Sequence, residues 1–310
     1  MFKNKDYILT VYREGSFTKA AEKLFVSQPS LSASIKRIEE KISTPIFDRA
    51  SSPITLTEVG REYVKYAMDI EQKENDFKRY VSDHSNLLAG KIKIGGSSFF
   101  SSYVLPKLIY DFNEKHPKIN FEIFEDSTKN LMNKLNTGEL DIVIDNTTLK
   151  DENIVSKIYL PETLLLAVPK RFEVNAKLKK RCFSSDDIKN DKHKKVVGVS
   201  IAEFSNLPFI LLHNENDTGA RAAKIFKHAS VNPKIVFTLD QQVTAYNLSR
   251  TGLGITFISD TLVKYSGQEQ DLDYYKLSDR SINRNVYFYQ KENRYPSIAC
   301  RKFLEYYTEK

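Results

Sequence analysis

The chain has 310 residues, which is enough for about two domains at roughly 150 residues each. No stretch approaches the ~20 apolar residues of a membrane span, and no charged segment followed by a long apolar run opens the chain. We therefore expect a cytoplasmic protein without a membrane anchor. Two distant cysteines, Cys182 and Cys300, and five scattered histidines favour neither a disulfide framework nor a metal site, and we expect no cofactor.

The net charge of +7 is compatible with a nucleic-acid partner, but most of the excess lies far from the amino terminus. Residues 1–61 hold ten Lys and Arg against seven Asp and Glu, whereas residues 170–195 hold ten against four. The charge alone is weak support for DNA binding, so that prediction depends on sequence motifs.

Residues 17–42 predict a helix-turn-helix. Phe17, Ala21 and Leu24 recur at helical spacing in a first helix, and a turn follows at residues 25–27. In the second helix Ser27 is placed as the N-cap and a proline lies in the first turn. The core stripe of this second helix consists of Leu31, Ile35, Ile38 and Ile42.

The opposite face of the second helix is short, polar and partly basic, as a helix in the DNA major groove requires. Pro29, Ser32 and Ala33 lie on this face. We expect Gln28 and the hydroxyl groups near the amino end to reach base edges, and Lys36 and Arg37 to meet phosphates. The alternative is an amphipathic helix pair whose outer face is only solvated.

A β-wing is predicted after the second helix. Residues 47–60, FDRASSPITLTEVG, place a turn-rich SSP segment between an Arg-bearing segment and the β-branched ITLT. Arg49, at the base of this wing, is positioned to contact the DNA backbone or the minor groove.

These segments resemble the signature of LysR-type bacterial transcription regulators. The resemblance depends on AAEKLFVSQPSLSASIKRIEEKI, PIFDR and LTEVG, and it extends over nearly the whole chain. It implies a recognition helix and a wing that bears Arg49. The positions that it assigns to the recognition helix are Ser27, Gln28, Pro29, Ser30, Ser32 and Lys36.

The chain departs from the family pattern at two places. Ala33 and Ser34 stand where the family often has a basic or long polar pair, which removes some expected DNA contacts. Ser43 replaces the usual glycine after the recognition helix, so we expect a different cap there.

A long helix is predicted from Thr57 to about Leu88, ~48 Å at ~1.5 Å per residue. Its apolar residues alternate in steps of four and three, as in a coiled coil, with Lys73 interrupting the series. The seam consists of Val59, Tyr63, Tyr66, Ile70, Phe77 and Tyr80. We expect this helix to form a dimer that spaces two recognition helices, and the alternative is a helix packed against its own domain.

The remainder alternates short β-rich runs with helical runs, which indicates an α/β domain with a mainly parallel sheet. The predicted strands are 91–95, 121–125, 141–144, 164–168, 209–212, 235–239, 255–258 and 286–289. The predicted helices are 102–115, 131–136, 220–229, 243–250 and 300–307.

The family resemblance implies a two-lobed effector domain of the type II periplasmic-binding-protein kind. It places the first crossing between lobes near residues 159–163 and the return near residues 262–271. The expected domains are a winged helix-turn-helix at 1–60, a dimerisation helix at 57–88 and an effector domain at 91–310. Within the effector domain, the expected first lobe comprises residues 91–160 and 268–310, and the second lobe comprises residues 161–267.

Polar residues at predicted strand-to-helix junctions indicate a ligand cleft between the lobes. They are Ser97, Ser98, Thr128 and Thr218, and Arg221 follows shortly after. Helix amino ends carry free amides and partial positive charge, so we expect an anionic or carboxylate-bearing effector, with Arg221 as its counter-charge. The alternative is that these residues are ordinary helix caps.

The basic run at 170–195 is longer than the corresponding connection in typical family members. Its mixed charge and few large apolar residues predict a mobile, solvated excursion, and the alternative is an extra electrostatic contact with DNA or an acidic effector. The neighbouring Lys179, Lys180 and Arg181 would favour a thiolate at Cys182, which would permit redox sensing, and the alternative is an accessible cysteine without a role, as is usual in a basic loop.

The sequence contains no phosphate-binding GxxxxGK[ST] run, no GxSxG and no HExxH, so we expect no enzymatic activity. We expect a LysR-type regulator that binds inverted-repeat operators in double-stranded DNA and responds to a small effector. The family resemblance implies a homotetramer, and RNA polymerase is a further candidate partner. The alternative function is a cytoplasmic small-molecule-binding protein whose helix-turn-helix contacts another protein.

Overall fold

The computed structural model describes residues 1–49, 53–85, 90–149, 151–267 and 270–308. The chain folds as two units, Met1–His84 and Ser85–Lys310. The predicted end of the long helix at Leu88 lies outside the described residues. Within the described ranges, none of the helices combines the length and hydrophobicity needed to cross a bilayer.

The first unit is a winged helix-turn-helix followed by a long helix. Its elements are α1 (Lys5–Glu14), α2 (Phe17–Lys23), α3 (Gln28–Ile42), β1 (Phe47–Asp48), β2 (Thr55–Leu56) and α4 (Glu58–Ser85). The predicted cap is confirmed, because Ser27 Oγ accepts a hydrogen bond from the Ser30 N–H at 3.3 Å. Leu31 and Ile35 are fully buried. Helix α1 was not predicted, and its residues Ile8 and Leu9 complete this core.

The predicted wing is a short antiparallel pair, in which Phe47 is opposite Leu56 and Asp48 is opposite Thr55. Residues 50–52 between the two strands are outside the described ranges. The end of α3 is capped by Ser43 in the left-handed conformation, with φ +56°. The serine therefore adopts the backbone geometry that glycine usually supplies.

Helix α4 has 28 residues and is about 42 Å long at 1.5 Å per residue. The prediction that Tyr63 belongs to the coiled-coil seam of the dimer is wrong. Its ring packs against Phe2 with centroids 4.8 Å apart, and it is buried in the core of the winged helix. Of the other seam positions, Ile70 is half-buried, whereas Val59, Tyr66, Phe77 and Tyr80 are exposed, Phe77 to 67%.

The second unit alternates strands and helices, as predicted. Its first elements are β3 (Gly90–Gly96), α5 (Leu105–Asn113), β4 (Ile119–Glu125), α6 (Thr128–Asn136), β5 (Ile142–Asp145) and β6 (Ile154–Pro169). Next come α7 (Val174–Lys177), α8 (Ser185–Lys189), β7 (Pro208–Leu212), α9 (Asp217–His228), β8 (Lys234–Leu239) and α10 (Gln242–Arg250). The last are β9 (Ile255–Ser259), α11 (Asp260–Tyr265), β10 (Leu272–Lys276), β11 (Asn283–Lys291) and α12 (Ile298–Thr308).

The strands form one mixed sheet in the order β4-β3-β5-β11-β6-β9-β7-β8, and β10 also pairs with β6. We call β3, β4, β5, β11 and the first part of β6 lobe I. The rest of β6 with β7, β8, β9 and β10 forms lobe II. Strand β6 crosses between lobes: it pairs with β11 as far as Thr163 and with β9 from Leu164. This change of partner lies at the end of the predicted crossing at 159–163.

The predicted return at 262–271 is wrong, because residues 260–265 form α11 and the next strand still belongs to lobe II. Strand β10 pairs with β6 from Leu272 opposite Pro169 to Lys276 opposite Leu165. A short turn, Arg280–Ile282, then leads into β11. The return therefore lies at 277–283, and the predicted lobe boundary at 267/268 moves to this position.

The prediction of a mobile excursion at 170–195 is also wrong. The run contains α7 and α8, and Ser184 and Asp187 form a capping box at the start of α8. Its few apolar residues are spaced so that they enter the interior. Ile188 and His193 are fully buried, and Phe183 is 8% exposed. This basic run is a folded part of lobe II.

Candidate functional site

The predicted DNA-reading residues lie together on the outer face of α3. Ser27, Gln28, Pro29, Ser30, Lys36 and Arg37 are exposed, and Ser32 is half-buried. The Ser27 hydroxyl is engaged as the helix cap, so its role on this face is to hold the first turn. Gln28 and Ser30 at the exposed amino end are free to present polar side chains to a partner surface.

Arg49 joins the base of the wing to α3. Its Nη2 lies 3.0 Å from Glu39 Oε2, and its Nη1 donates to Ser32 Oγ at 3.3 Å. The guanidinium also lies over the Phe17 ring, 5.2 Å from the centroid. Because Glu39 Oε1 accepts the Ile46 N–H, this carboxylate fixes both the wing and the arginine beside the outer face of α3.

Phe25, in the turn before α3, was not predicted as a surface residue. It adopts φ +55° and is 95% exposed. A left-handed phenylalanine with a fully solvated ring is unusual. In the sequence, the feature that could have indicated this exposed ring is an apolar residue inside the turn of the helix-turn-helix.

The second unit contains a cavity of about 660 Å³ between its two lobes. Lobe I lines it with Ser97, Phe99, Phe100, Asp126, Ser127, Thr128, Lys129, Asp145, Asn146 and Thr147. Lobe II lines it with His213, Glu215, Asn216, Asp217, Thr218, Asp240, Gln241 and Gln242. The structure thus brings the predicted residues Ser97, Thr128 and Thr218 together, and we call this space the interlobe cavity.

Helix amino ends from both lobes open on the interlobe cavity. Ser127 caps α6 by accepting the Asn130 N–H at 3.3 Å, and Asn216 caps α9 by accepting the Thr218 N–H at 2.9 Å. Thr128 and Thr218 are therefore first-turn residues rather than the caps. The free amides of these first turns give both walls partial positive charge.

Two predicted cavity residues do not line it. Ser98 is half-buried and is not among the lining residues, and Arg221 points elsewhere. Arg221 Nε binds Asp217 Oδ2 at 2.6 Å, and Nη1 donates to the carbonyls of Ser281 and Asn283 at 2.9 and 3.0 Å. The guanidinium thus anchors α9 to the return segment instead of serving as the counter-charge in the cavity.

Two of the five carboxylates in the cavity wall, those of Asp126 and Asp217, pair with cations that do not line the cavity. Asp126 Oδ2 lies 2.8 Å from Lys134 Nζ, and this ammonium, with the Asn130 amide and the Ser127 N–H, lowers the pKa of Asp126 to about 2. Asp217 Oδ2 binds the Arg284 guanidinium at 2.8 Å in addition to Arg221. Lys129 is exposed on the wall of lobe I, and on the wall of lobe II the exposed His213 has its Nε2 3.9 Å from Asp240 Oδ1.

Asp145, at the end of β5, differs from these acids because it is buried. The Thr128 hydroxyl and the Thr147 N–H each donate to its carboxylate at 2.8 Å. Burial raises its pKa in spite of these hydrogen bonds. In the sequence, the feature that could have identified this buried acid is a carboxylate that directly follows the apolar residues of β5.

A buried ion pair on the two crossing strands was not predicted. Arg284 Nε on β11 lies 2.6 Å from Glu162 Oε2 on β6, and Arg284 Nη1 donates to Thr218 Oγ1 at 2.9 Å. Neither residue lay within a predicted strand, because the predicted strands here were 164–168 and 286–289, whereas the observed strands begin at Ile154 and Asn283. The pair connects the crossing between lobes to the wall of the interlobe cavity.

One group of side chains has the spacing of metal ligands. Ligand atoms of Asp191, His193 and Asp260 lie within 4.8 Å of one another. Lys264 Nζ is 2.7 Å from Asp191 Oδ1 and 3.3 Å from Asp260 Oδ2. An ammonium group therefore already supplies the cation for these carboxylates.

The structure does not favour a thiolate at Cys182. Its Sγ donates to the Lys179 carbonyl oxygen at 3.3 Å, and partial burial raises the pKa of the thiol. The neighbouring cations of the sequence do not offset this burial, so the geometry does not favour a reactive cysteine.

Family models match both units of the chain. The model of the bacterial regulatory helix-turn-helix protein, LysR family, matches residues 3–61. The model of the LysR substrate-binding domain matches residues 85–310. Together these matches cover the outer face of α3 and the interlobe cavity.

Curated relatives align with nearly the full chain. An uncharacterized HTH-type transcriptional regulator of Bacillus subtilis strain 168, YcgK, is 28% identical over 301 residues, covering 97% of this chain and 91% of that protein. A probable RuBisCO transcriptional regulator of Trieres chinensis is 26% identical over 297 residues, covering 94% of this chain and 90% of that protein.

Solved structures share the fold over the whole length. A full-length variant of OxyR from Pseudomonas aeruginosa has a TM-score of 0.69 at 21% identity, covering 100% of this chain and 94% of that chain. Full-length CbnR complexed with its target DNA has a TM-score of 0.62 at 16% identity, covering 100% of this chain and 99% of that chain. The chain belongs to the LysR family of DNA-binding transcriptional regulators, with a helix-turn-helix domain and an effector-binding domain.

Proposed function

We propose that this regulator binds an inverted-repeat operator as a dimer and responds to a small effector that carries an anionic group. In this proposal residues 1–60 read DNA, residues 57–88 form the dimerisation helix and residues 91–310 bind the effector. The protein acts in the cytoplasm by binding alone, without catalysis. Two dimers associate as a tetramer on the operator, and RNA polymerase is the partner that senses the geometry of the complex.

Operator reading is supported by the exposed polar face of α3. Gln28, Ser30 and Ser32 near its amino end are the proposed base-contacting residues. Lys36 and Arg37 are the proposed phosphate contacts, and within the described part of the chain neither forms an ion pair. Arg49 stands beside this face and reaches the backbone next to the groove. Ser27 and Pro29 shape the first turn that enters the groove.

Dimerisation is supported by the exposed apolar side chains of α4. Tyr66, Phe77, Tyr80 and Val59 are each at least 44% exposed, although they are large and apolar. Three of these positions alternate with the half-buried Ile70 at coiled-coil spacing. A partner helix would cover this stripe, and the two-fold axis would present two α3 helices to two half-sites.

The operator experiment is a selection from a randomised duplex pool at near-physiological salt, followed by sequencing of the retained DNA. We expect enrichment of a two-fold symmetric motif. A Gln28→Ala protein should relax the base preference at one position of each half-site and leave the symmetry intact. Retention without any sequence preference would contradict operator reading.

An anionic effector group is supported by the helix amino ends of α6 and α9, which open on the interlobe cavity from opposite lobes. Ser97, Thr128 and Thr218 add hydroxyl groups to these amides. The effector would bridge the lobes and shift a pre-existing equilibrium between lobe arrangements, which changes the spacing of the half-sites.

The effector experiment is a calorimetric screen of small organic acids against the full-length protein. We expect at least one acid to bind and to raise the unfolding temperature. Ser97→Ala should weaken this binding about tenfold, the usual effect of losing a hydrogen bond to a charged group. Ser98→Ala is the matched control, because the neighbouring hydroxyl does not line the cavity. Absence of heat and of thermal protection across the series would contradict an anionic effector.

A further inference from the structure

A second cavity lies at the crossing between the lobes. It is a groove of about 410 Å³ lined by residues of both crossing strands, among them Glu162 on β6 and Arg284 on β11. Two lysines of lobe II, Lys194 and Lys276, also line it. We call this space the hinge groove. Its residues are different from those of the interlobe cavity.

Positive charge exceeds negative charge at the hinge groove. Lys194 Nζ lies 3.1 Å from Asp191 Oδ1, but the same carboxylate oxygen also binds Lys264 Nζ at 2.7 Å. Among the residues that the structure describes, Lys276 Nζ donates to the main-chain carbonyl of Lys194, at 3.1 Å, and to no side chain. A single carboxylate is therefore shared by two ammonium groups, while a third ammonium group is held at the groove by a neutral carbonyl.

Arg284 supplies the observation that points to a ligand. Its side chain is 1% exposed, and its Nε and Nη1 are bonded to Glu162, Asp217 and Thr218. Its remaining nitrogen, Nη2, is buried and has no hydrogen-bond partner among the residues that the structure describes. A buried guanidinium donor without an acceptor is rare in folded proteins. The groove that Arg284 lines offers space for an acceptor.

We propose that the hinge groove is a second binding site of this protein, specific for a small oxyanion of the phosphate or carboxylate class. The oxyanion accepts a hydrogen bond from Arg284 Nη2 and lies between the ammonium groups of Lys194 and Lys276. The Asn283 side chain, at the first position of β11, closes the groove with a neutral amide. In this proposal the basic run at 170–195 has a function, because its residue Lys194 lies at this site.

The position of the hinge groove couples it to the interlobe cavity. Arg284 Nη1 donates to Asp217 and Thr218, which both line the interlobe cavity, while Arg284 itself lines the groove. An anion that draws Nη2 toward the groove changes the position of the same guanidinium that orders the first turn of α9. Each ligand then alters the affinity of the other by the same factor.

The test uses calorimetry on the full-length protein with two probes, inorganic phosphate and succinate, each at constant ionic strength. Lys276→Ala and Lys194→Ala remove groove ammonium groups and leave the buried ion pair intact. Lys195→Ala is the matched control, because it removes an equal charge from the same basic run without lining the groove. Ser97→Ala reports binding in the interlobe cavity.

We expect one probe or both to bind saturably, with affinity reduced about tenfold in Lys276→Ala and in Lys194→Ala. Lys195→Ala and Ser97→Ala should bind like the wild type. Binding of phosphate alone identifies a phosphorylated ligand, and binding of succinate alone identifies a carboxylate. The proposal is overturned if neither probe binds at millimolar concentration, if Lys195→Ala loses as much affinity as Lys276→Ala, or if Ser97→Ala removes the binding.

Discussion

Asp126 and Asp145 line the same cavity, but their pKa values are shifted in opposite directions. The partners of Asp126 lower its pKa from 3.8 to about 2, so its ionised form adds stability above pH 3.8, and this stability is lost as the pH falls toward 2. Burial raises the pKa of Asp145. Its contribution is favourable below its unfolded pKa and is lost as the pH rises through the folded value.

Asp145→Asn should therefore gain unfolding temperature relative to the wild type as the pH rises, because the amide cannot ionise in this buried site and its oxygen still accepts the Thr147 N–H. The same substitution should matter less in acid, where Asp145 is protonated. Asp126→Asn is the opposite control: it should lower the unfolding temperature at pH 7 and have little effect near pH 2. Thermal unfolding from pH 2 to pH 7 measures both. An Asp145→Asn protein that loses unfolding temperature relative to the wild type as the pH rises would contradict the assigned cost of burial.

Replacing Ser43 by glycine should increase the stability of the first unit. Its φ of +56° is a conformation that a Cβ atom disfavours. Ser43→Gly should stabilise the first unit by about 1 kcal/mol, the strain relieved less the extra entropy of the unfolded glycine. Urea unfolding measures the change. Gly15→Ala, at φ +61°, is the reverse experiment and should destabilise the same unit by about 1 kcal/mol.

Single residues were predictable where a local rule decides their role. Ser27 was identified as a cap because the capping hydrogen bond spans three residues. Arg284 and Glu162 were missed because their contact joins positions 122 residues apart, which one sequence does not reveal. Arg221 was assigned to the wrong partner for a similar reason: the carbonyls that hold it come from a distant turn.

At the scale of elements, α4 combines a packed stripe with an exposed one. Tyr63, Val64 and Ala67 face the winged-helix core, whereas Phe77 belongs to the stripe proposed as the dimer seam. Arg13 on α1 pairs with Glu71 at 2.7 Å and fixes the first half of α4 against the core. The two stripes predict different effects of substitution.

Phe77→Glu should weaken self-association by roughly one to two orders of magnitude, because it places a carboxylate in a buried aromatic position of the dimer. The fold should persist, since this ring is 67% exposed in the single chain. Sedimentation equilibrium measures the association.

Lys78→Glu on the same helix is the control for Phe77→Glu and should dimerise normally. Tyr63→Ala should instead lower folding stability, by roughly 3–5 kcal/mol. A wild-type protein that sediments as a monomer at all concentrations would contradict the dimer seam.

Elements were predictable where periodicity or a turn signal defined them. The helix-turn-helix and the apolar strands β5, β7 and β9 follow directly from the sequence pattern. Strand β10, LDYYK, was missed because its assignment depends on pairing with β6. Helices α7 and α8 are too short to show a helical period, and their burial depends on the lobe II core.

At the scale of the whole molecule, the affinity for DNA should not be determined by the net charge of the chain. The basic run at 170–195 is folded into lobe II, so its charge is not a free tail available to DNA. Affinity should instead depend on the few cations beside α3.

Lys36→Ala should weaken operator binding for all sequences and reduce the slope of log affinity against log salt by about 1. Lys227→Ala, on the surface of lobe II, is the control for an equal change in net charge. Binding titrations at several salt concentrations measure both slopes. Equal slopes for Lys36→Ala and the wild type would exclude Lys36 as a phosphate contact.

The late position of β11 in the chain also determines when lobe I is able to fold. Lobe I needs β11, which the ribosome makes only after all of lobe II, a delay on the order of ten seconds at about 5–20 residues per second. Until then the edge of β5 that pairs with β11 has no neighbour. Lobe I is thus closed last by the carboxyl-terminal strand, and a chain released early exposes an unpaired strand edge to aggregation.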